Sequence, residues 1–286
     1  MDQNININLP NSVDSSVVIF NKKYSSYFFV KLDKYMRWCS RSAAGRNFLG
    51  RICVFHQGGG TKKFYSYIDN CRRLNLYGYI LKIFKQRGKT AYIGSLWHVN
   101  GLVSNIILAE KVYVGSSVFG GQYLPLDYVQ KECQGWAIPI KNINLFTVLS
   151  NIEPWPYHGS NISTAAGVGA VLSKYNINND KYTIKLSSGW QISIMGECLA
   201  VVGRNSNIYH RYIKLFKAGT ARKMGIRPTV RGIIKNPCDH PHGGGEGKNS
   251  PPRAQVSPWG KLTKGTPTNN KKYHRALRRK FKLLNN

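Results

Sequence analysis

The middle of the chain is a succession of short runs rich in β-branched and aromatic residues, and the stretches on either side have no regular period. Tyr77–Phe84, Thr90–Trp97 and Leu102–Leu108 read as three strands, with Gln86-Arg87-Gly88-Lys89 as the hairpin turn between the first two. Strands of this length joined by short turns predict a small closed or partly closed barrel. Val112–Val114 is available as a short edge. Phe119-Gly120-Gly121 and Gly135 mark a break. A second set follows: Trp136–Ile140, Gly169–Tyr175, Tyr182–Leu186, Trp190–Met195 and Leu199–Gly203. Ser187-Ser188-Gly189 forms a three-residue hairpin loop with glycine where φ must be positive. Ile208, Tyr212 and Leu215 stand at i, i+4 and i+7. That spacing predicts one short helix over 206–216, capped by Asn205 or Ser206. After Gly219 the period is lost.

The stretches without a period carry the candidate chemistry. The first contains Gly45-Arg46-Asn47, Gly50-Arg51-Ile52 and then His56-Gln57-Gly58-Gly59-Gly60-Thr61-Lys62-Lys63. The second runs from Arg227 through Arg231 to Lys248, with three prolines, His240, His242 and a second triple glycine, Gly243–Gly245. Neither can bury a core of its own. Glycine runs let the backbone approach a partner closely and adopt φ > 0. Consecutive backbone N–H groups in such a loop can form an anion-binding concavity. Basic residues interleaved with glycines and aromatics can track a phosphate backbone and stack on bases. Composition alone equally suits a Pro/Gly-rich linker or a hairpin loop with solvated charges. Trp259, between Pro258 and Gly260, suits stacking on a base or packing in its own loop.

Charge separates these readings. The 286 residues hold 42 Lys and Arg against 12 acids, a net charge of +30. Residues 1–120 carry 17 cations and 5 acids, residues 121–203 carry 5 of each, and residues 204–286 carry 20 against 2. A near-neutral module between cationic segments fits extensions that enter an anionic partner, because each phosphate neutralised releases counterions. An anionic membrane would attract the same charge. The sequence, however, has no apolar run of 18 residues and no basic amphipathic helix, so no membrane partner is expected. The six cysteines form no C-x-x-C pair, which points to a reducing compartment.

Catalytic signatures are missing. Cys238-x-His240-x-His242 supplies three metal-ligating side chains, but zinc sites use four in recognisable spacing and no second Cys/His pair lies nearby. Asp239 beside His240 could orient a general base, yet no G-x-S-x-G nucleophile, dinucleotide fingerprint or P-loop occurs. No catalytic residue, metal or cofactor is therefore assigned. His240 and His242, held between Pro237 and Pro241, read as donors to phosphate, ribose or base edges.

Several motifs occur in an order that resembles one family. Arg227-Pro-Thr-Val-Arg-Gly232, then Asn236-Pro-Cys-Asp-His-Pro-His-Gly-Gly-Gly-Glu-Gly247, Val256-Ser-Pro-Trp-Gly-Lys261 and Thr263-Lys264-Gly265 resemble the C-terminal signature of large-subunit ribosomal protein L2, the universal family uL2. Gly45-Arg-Asn47, Gly50-Arg-Ile52 and Gly58–Gly60 with Lys62 and Lys63 resemble its N-terminal signature. Asn151-Ile-Glu153 and Ala165-Ala-Gly167 resemble its central one. The chain departs from the pattern at Phe55, Thr61, Thr164 and Pro156-Tyr-His-Gly159. The Val54-Phe55-His56 variant resembles organellar members, mitochondrial ones especially.

The resemblance implies an all-β core, an OB-like barrel followed by an SH3-like barrel, with long basic irregular extensions. The expected divisions are an N-terminal extension over 1–52, the OB-like barrel over 53–125, the SH3-like barrel over 126–204, and a short helix plus Gly/Pro-rich extension over 205–286. Expected partners are large-subunit rRNA, neighbouring ribosomal proteins, and small-subunit rRNA or proteins at the subunit interface. A glycine-rich loop would reach toward the peptidyl transferase region. The candidate RNA contacts are Arg46, Arg51, His56, Lys62, Lys63, Arg227, Arg231, His240, His242, Lys248, Trp259, Lys261 and Lys264. An acid-bearing N-terminus unlike a transit peptide, with abundant Asn, Ile, Lys and Tyr, points to an organelle-encoded protein of the mitochondrial matrix. A plastid or a bacterial cytoplasm is the alternative. The rival functions are a metal-dependent RNA-processing enzyme using Cys238, His240 and His242, and a free single-strand nucleic-acid binder.

Overall fold

The computed structural model of the chain describes residues 36–40, 42–125, 133–177, 180–245 and 253–265. Lys248, the first 35 residues and the chain from 266 onward lie outside them. The described residues fall into two units. The larger runs up to Ala43 and from Gly59 to Met224; the smaller takes Ala44–Gly58 and the chain from Gly225 onward.

In the larger unit β1 (Arg37–Ser40) and β2 (Lys63–Ser66) form an antiparallel pair. A first module follows from β3 (Leu76–Phe84), β4 (Ile93–His98), β5 (Val103–Ile107) and β6 (Ser117–Gly120), in the order β6-β3-β4-β5. A second is built from β7 (Ala137–Pro139), β8 (Val148–Ser150), β9 (Ala170–Asn176), β10 (Lys181–Lys185), β11 (Gln191–Met195) and β12 (Leu199–Val202), in the order β11-β10-β9-β8-β12-β7. The modules share one ten-stranded sheet because β6 and β7 pair in parallel at Gly120 and Ala137.

The expected strands form, and so does the Ser187–Gly189 loop: Gly189 has φ +86° and its N–H bonds the Leu186 carbonyl at 2.9 Å. Three of the strand expectations need correction. The second strand begins at Ile93, because Thr90 is engaged elsewhere: its Oγ accepts the Ala166 N–H and its carbonyl accepts from the Asn207 amide. Val112–Val114 is no edge strand, and the chain turns there instead, with Ser116 N–H on the Tyr113 carbonyl. The supposed break at Phe119-Gly120 is the end of β6. Glycine is needed at Gly120 and Gly121 because a Cβ would meet Arg72 at 3.0 Å and Asn75 at 2.2 Å. β8, only three residues long, is too short for alternation to reveal.

The predicted helix over 206–216 is a 3₁₀ helix, Ile208–Tyr212, entered through Asn207 in the left-handed region at φ +63°. Asn205 and Ser206 do not cap it, since their side chains are committed to the Ser163 and Ala165 carbonyls and to the Tyr92 N–H. A true helix, α1 (Ala218–Met224), lies where no period was visible. It buries no residue, so no apolar stripe announces it. Ala, Arg, Lys and Met favour the helix intrinsically. Thr61 and Lys63 donate to the carbonyls of Lys223 and Met224 at its C-terminal end.

The core lies in this larger unit. Ile80, Leu96, Ile106, Val118, Ile138, Leu149, Leu172 and Ile184 are among its buried side chains. Full burial of each stabilises by about 1.5–3 kcal/mol. Tyr77, Phe119 and Trp136 stack edge-on and tilted at 5.3–5.6 Å, joining β3 and β6 to the entrance of β7. Two arginines are drawn in as well. Arg72 is buried with its guanidinium on the Gly135 and Phe119 carbonyls, and burial pushes it down to about 10, still charged at neutral pH. Arg73 meets the buried Glu153 carboxylate at 2.6 Å.

Candidate nucleic-acid interface

The smaller unit contains no buried apolar side chain among the described residues; its one buried residue is His240. It is held by turns and short bridges. In Gly45–Val54, the Gly45 carbonyl accepts the Cys53 and Val54 N–H groups, Arg46 bridges Ile52, and Asn47 Oδ1 accepts the Leu49 and Arg51 N–H groups. Gly45 is required here: at φ +76° a Cβ would sit 2.1 Å from the Val54 carbonyl oxygen. The tip carries Phe48, 95% exposed, between Arg46 and Arg51. The Gln255–Thr263 loop is built alike. Ser257 N–H bonds the Lys261 carbonyl, Val256 bridges Leu262, and Trp259, 67% exposed, stands at the tip beside Lys261. Trp259 also packs against Phe55 at 5.7 Å, a contact within its own unit.

The fold brings the two glycine-rich signatures together across 172 positions. Gln57 bridges Ile226, Gly58 N–H bonds the Gly225 carbonyl at 2.7 Å, and His56 Nδ1 bonds the Pro228 carbonyl at 3.0 Å. Arg227 and Arg231 are exposed next to this junction. Lys261 and Lys264 are exposed too. The described part of the unit carries eight Lys and Arg against one acid, Asp239.

His240 and His242 face inward rather than outward. Their rings stack at 5.2 Å. His240 Nδ1 accepts the His242 N–H and His242 Nε2 accepts the Val256 N–H, both at 3.0 Å. These lone pairs are spent on backbone, so only the opposite ring nitrogens keep a proton to donate outward. Desolvation, then His242 and Lys235, hold His240 below the usual histidine range and favour this neutral form. Gly232 makes room for the ring, since a Cβ there would lie 2.5 Å from His240 Cε1. The anion concavity expected of Gly243–Gly245 does not form at its first two positions. Gly243 N–H bonds the His240 carbonyl and Gly244 N–H bonds the Lys235 carbonyl. Cys238 is exposed, and no group of three His, Cys, Asp or Glu side chains among the described residues is placed to hold a metal ion.

Lys62 and Lys63 belong to the larger unit. Lys62 lies over the Phe64 ring at 5.4 Å, and Lys63 donates to the Met224 carbonyl at 3.1 Å, which leaves Lys62 the freer cation. The central signature proves to be scaffold. Glu153 Oε2 accepts from Arg73 and from the Leu199 N–H, and Oε1 accepts from the Gly159 N–H. Gly167 lies so close to Ile208 that a Cβ would meet its Cα at 2.9 Å. Phe48 and the aromatic run Tyr209–Phe216 were missed as candidates. Their signal was present: large aromatics interleaved with arginine and lysine, with Phe48, Tyr209 and Phe216 outside any periodic pattern.

A unit that is cationic and buries no apolar side chain among its described residues fits a protein whose partner is a polyanion. Residues 34–120 match the family model described as the RNA binding N-terminal domain of ribosomal proteins L2, and residues 133–260 match their C-terminal domain. The large ribosomal subunit protein uL2m of Reclinomonas americana is 39% identical over 236 residues, 82% of this chain and 83% of that protein. Large ribosomal subunit protein uL2 of Hyphomonas neptunium is 38% identical over 232 residues, 81% of each chain. That of Orientia tsutsugamushi is 36% identical over 255 residues, 85% and 90%. The chain belongs to the ribosomal protein L2 family, and its two β modules are the OB-like and SH3-like modules expected of it.

Proposed function

We propose that the chain is a structural constituent of a large ribosomal subunit, binding large-subunit rRNA rather than catalysing a reaction. The observation that carries this reading is the smaller unit: it is cationic, its described residues bury one side chain, and it presents Phe48 and Trp259 to solvent. Folded RNA supplies what such a unit lacks, through phosphates, 2′-OH groups and unpaired bases that stack. Arg46, Arg51, Lys62, Arg227, Arg231, Lys248, Lys261 and Lys264 pair phosphates. Lys63 fixes α1 and adds its charge to the same field. Phe48 and Trp259 stack. His56, His240 and His242 brace the loops; His240 and His242 donate outward from their remaining N–H groups, whereas His56, whose Nδ1–H is spent on the Pro228 carbonyl, accepts through Nε2. The Gly-rich segment supports the RNA near the peptidyl transferase region, and the cationic surface supports subunit association with small-subunit rRNA or proteins. Other ribosomal proteins are its neighbours.

The binding is tested with a large-subunit rRNA fragment titrated at rising salt. Neutralising about six to ten phosphates weakens affinity on the order of 10³–10⁵-fold between ~50 and ~200 mM salt. An affinity indifferent to salt would overturn the proposal. For location we propose the mitochondrion, supported by Val54-Phe55-His56 and by the likeness to a uL2m protein. Gradient fractionation of organelle lysates checks it: sedimentation with plastid or bacterial large subunits, and not with mitochondrial ones, would refute this placement.

A further inference from the structure

A cleft in the larger unit has no part in the reading above. It is about 310 Å³, lined by Ile83, Tyr92, Leu108, Val112, Ile208 and Tyr209, with Glu110 and Lys111 also at its wall. That volume is at the lower end of the ~300–1,000 Å³ range of small-ligand sites. Leu108 and Val112 are buried, whereas Tyr209 is 77% exposed. The segment that carries Tyr209 is fixed from several sides. Ser206 N–H bonds the Leu108 carbonyl, the Ser206 carbonyl accepts the Gly167 N–H, Ser206 Oγ accepts the Tyr92 N–H, and the Asn207 amide bonds the Thr90 carbonyl at 2.7 Å. Tyr209 is thus an exposed aromatic on a rigid support.

Its surroundings point to the occupant. From Arg204 to Lys223 the sequence holds six Lys and Arg and no acid. Tyr212 lies 6.4 Å from Tyr209 under the Arg211 guanidinium, and Phe216 is 89% exposed. An apolar slot with an aromatic lip, set in a cationic surface, matches a nucleobase joined to a phosphate backbone better than an apolar peptide, which has no use for the charge. Glu110, the one acid in the lining, can accept a base N–H.

We infer that this cleft receives one unpaired nucleobase of the bound RNA, stacked against Tyr209, while Arg211, Lys214 and Lys217 hold the flanking phosphates. The inference rests on the RNA-binding reading and adds a single-strand site to it. The full chain is titrated with a short single-stranded RNA carrying one 2-aminopurine, and in parallel with a fully paired RNA duplex of the same length. Binding quenches the 2-aminopurine. Tyr209→Ala removes most of the quench and weakens the single strand by about tenfold, the size of one lost base stack, with duplex affinity unchanged. Tyr209→Phe keeps both, because the ring does the stacking. Equal losses on the two RNAs, or no quench in the unaltered chain, overturn the inference. A photo-crosslinker at position 209 that captures a ribosomal protein instead of RNA assigns the cleft to a protein side chain and overturns it too. Failure of the duplex arm to show salt-dependent binding counts against the RNA-binding reading itself.

Discussion

In the larger unit a charged pair is sealed under the fold; in the smaller one large aromatics stand in water. Glu153 is 1% exposed, yet every hydrogen bond it makes is to the protein: Arg73 and the Leu199 and Gly159 N–H groups. Such a carboxylate is tolerable only because it is both paired and hydrogen-bonded. Phe48 and Trp259 make the opposite case. Both stand largely in water, Trp259 with the Phe55 ring 5.7 Å away, and the backbone around them is ordered by turns instead of burial. The lesson is that one chain can contain a part that folds by closing a core and a part whose apolar surface is reserved for a partner. Both are rich in arginine; what differs is whether the arginine points into a cluster of carbonyls, as Arg72 does, or outward, as Arg46 and Arg51 do.

The contrast can be broken most directly at Glu153. Glu153→Ala leaves Arg73 unpaired and two N–H groups uncovered, and is expected to cost about 3–5 kcal/mol in urea denaturation. Val230→Ala, at a half-exposed apolar residue of the smaller unit, should stay within about 0.5 kcal/mol. Comparable losses for the two would mean that the smaller unit has a core after all.

A more local effect comes from Gly232→Ala. The added methyl overpacks the His240 ring by an amount worth about 1–3 kcal/mol. The ring must move, and the His242 and Val256 N–H groups lose their acceptors in turn. Affinity for the rRNA fragment should fall while the urea midpoint of the larger unit holds. An unaltered affinity would show that the histidine brace is irrelevant to the interface.

The smallest effect is in pH. His240 lies below the usual histidine range, so the folded loop prefers its neutral form. Its contribution is fully present above the unfolded value of about 6.5 and is lost as pH falls through the lowered folded value. In an NMR titration the His242 amide should shift as that proton arrives at Nδ1. A midpoint above 6.5 would contradict the sign, and no shift at all would contradict the hydrogen bond.

Much of the fold was legible in the residues. Strands with β-branched and aromatic runs were read to within a few positions, and Gly189 marked its hairpin. β1, β2, β6, β8 and α1 were not, because these strands are only three or four residues long, too short to show alternation, and the helix buries nothing. Among site residues, Arg46, Arg51, Arg227, Arg231, Lys261 and Lys264 are exposed as a contact role requires. Charge and the motifs that carry these residues pointed to them together. The inward turn of His240 was beyond reach, since a histidine between prolines looks the same whether its lone pair meets a ligand or an amide.

The sequence by itself determined that the chain has two β modules, that its partner is anionic, and to which family its ordered motifs belong. These follow from local residue type and from charge, which need no long-range contact to be read. Only the tertiary structure decided that His56 meets Pro228, that Arg73 lies over Tyr157 at 4.0 Å and pairs Glu153, and that Gly167 lets Ile208 approach. Each joins residues far apart along the chain, and the geometry that selects one partner among many exists only once the backbone has folded.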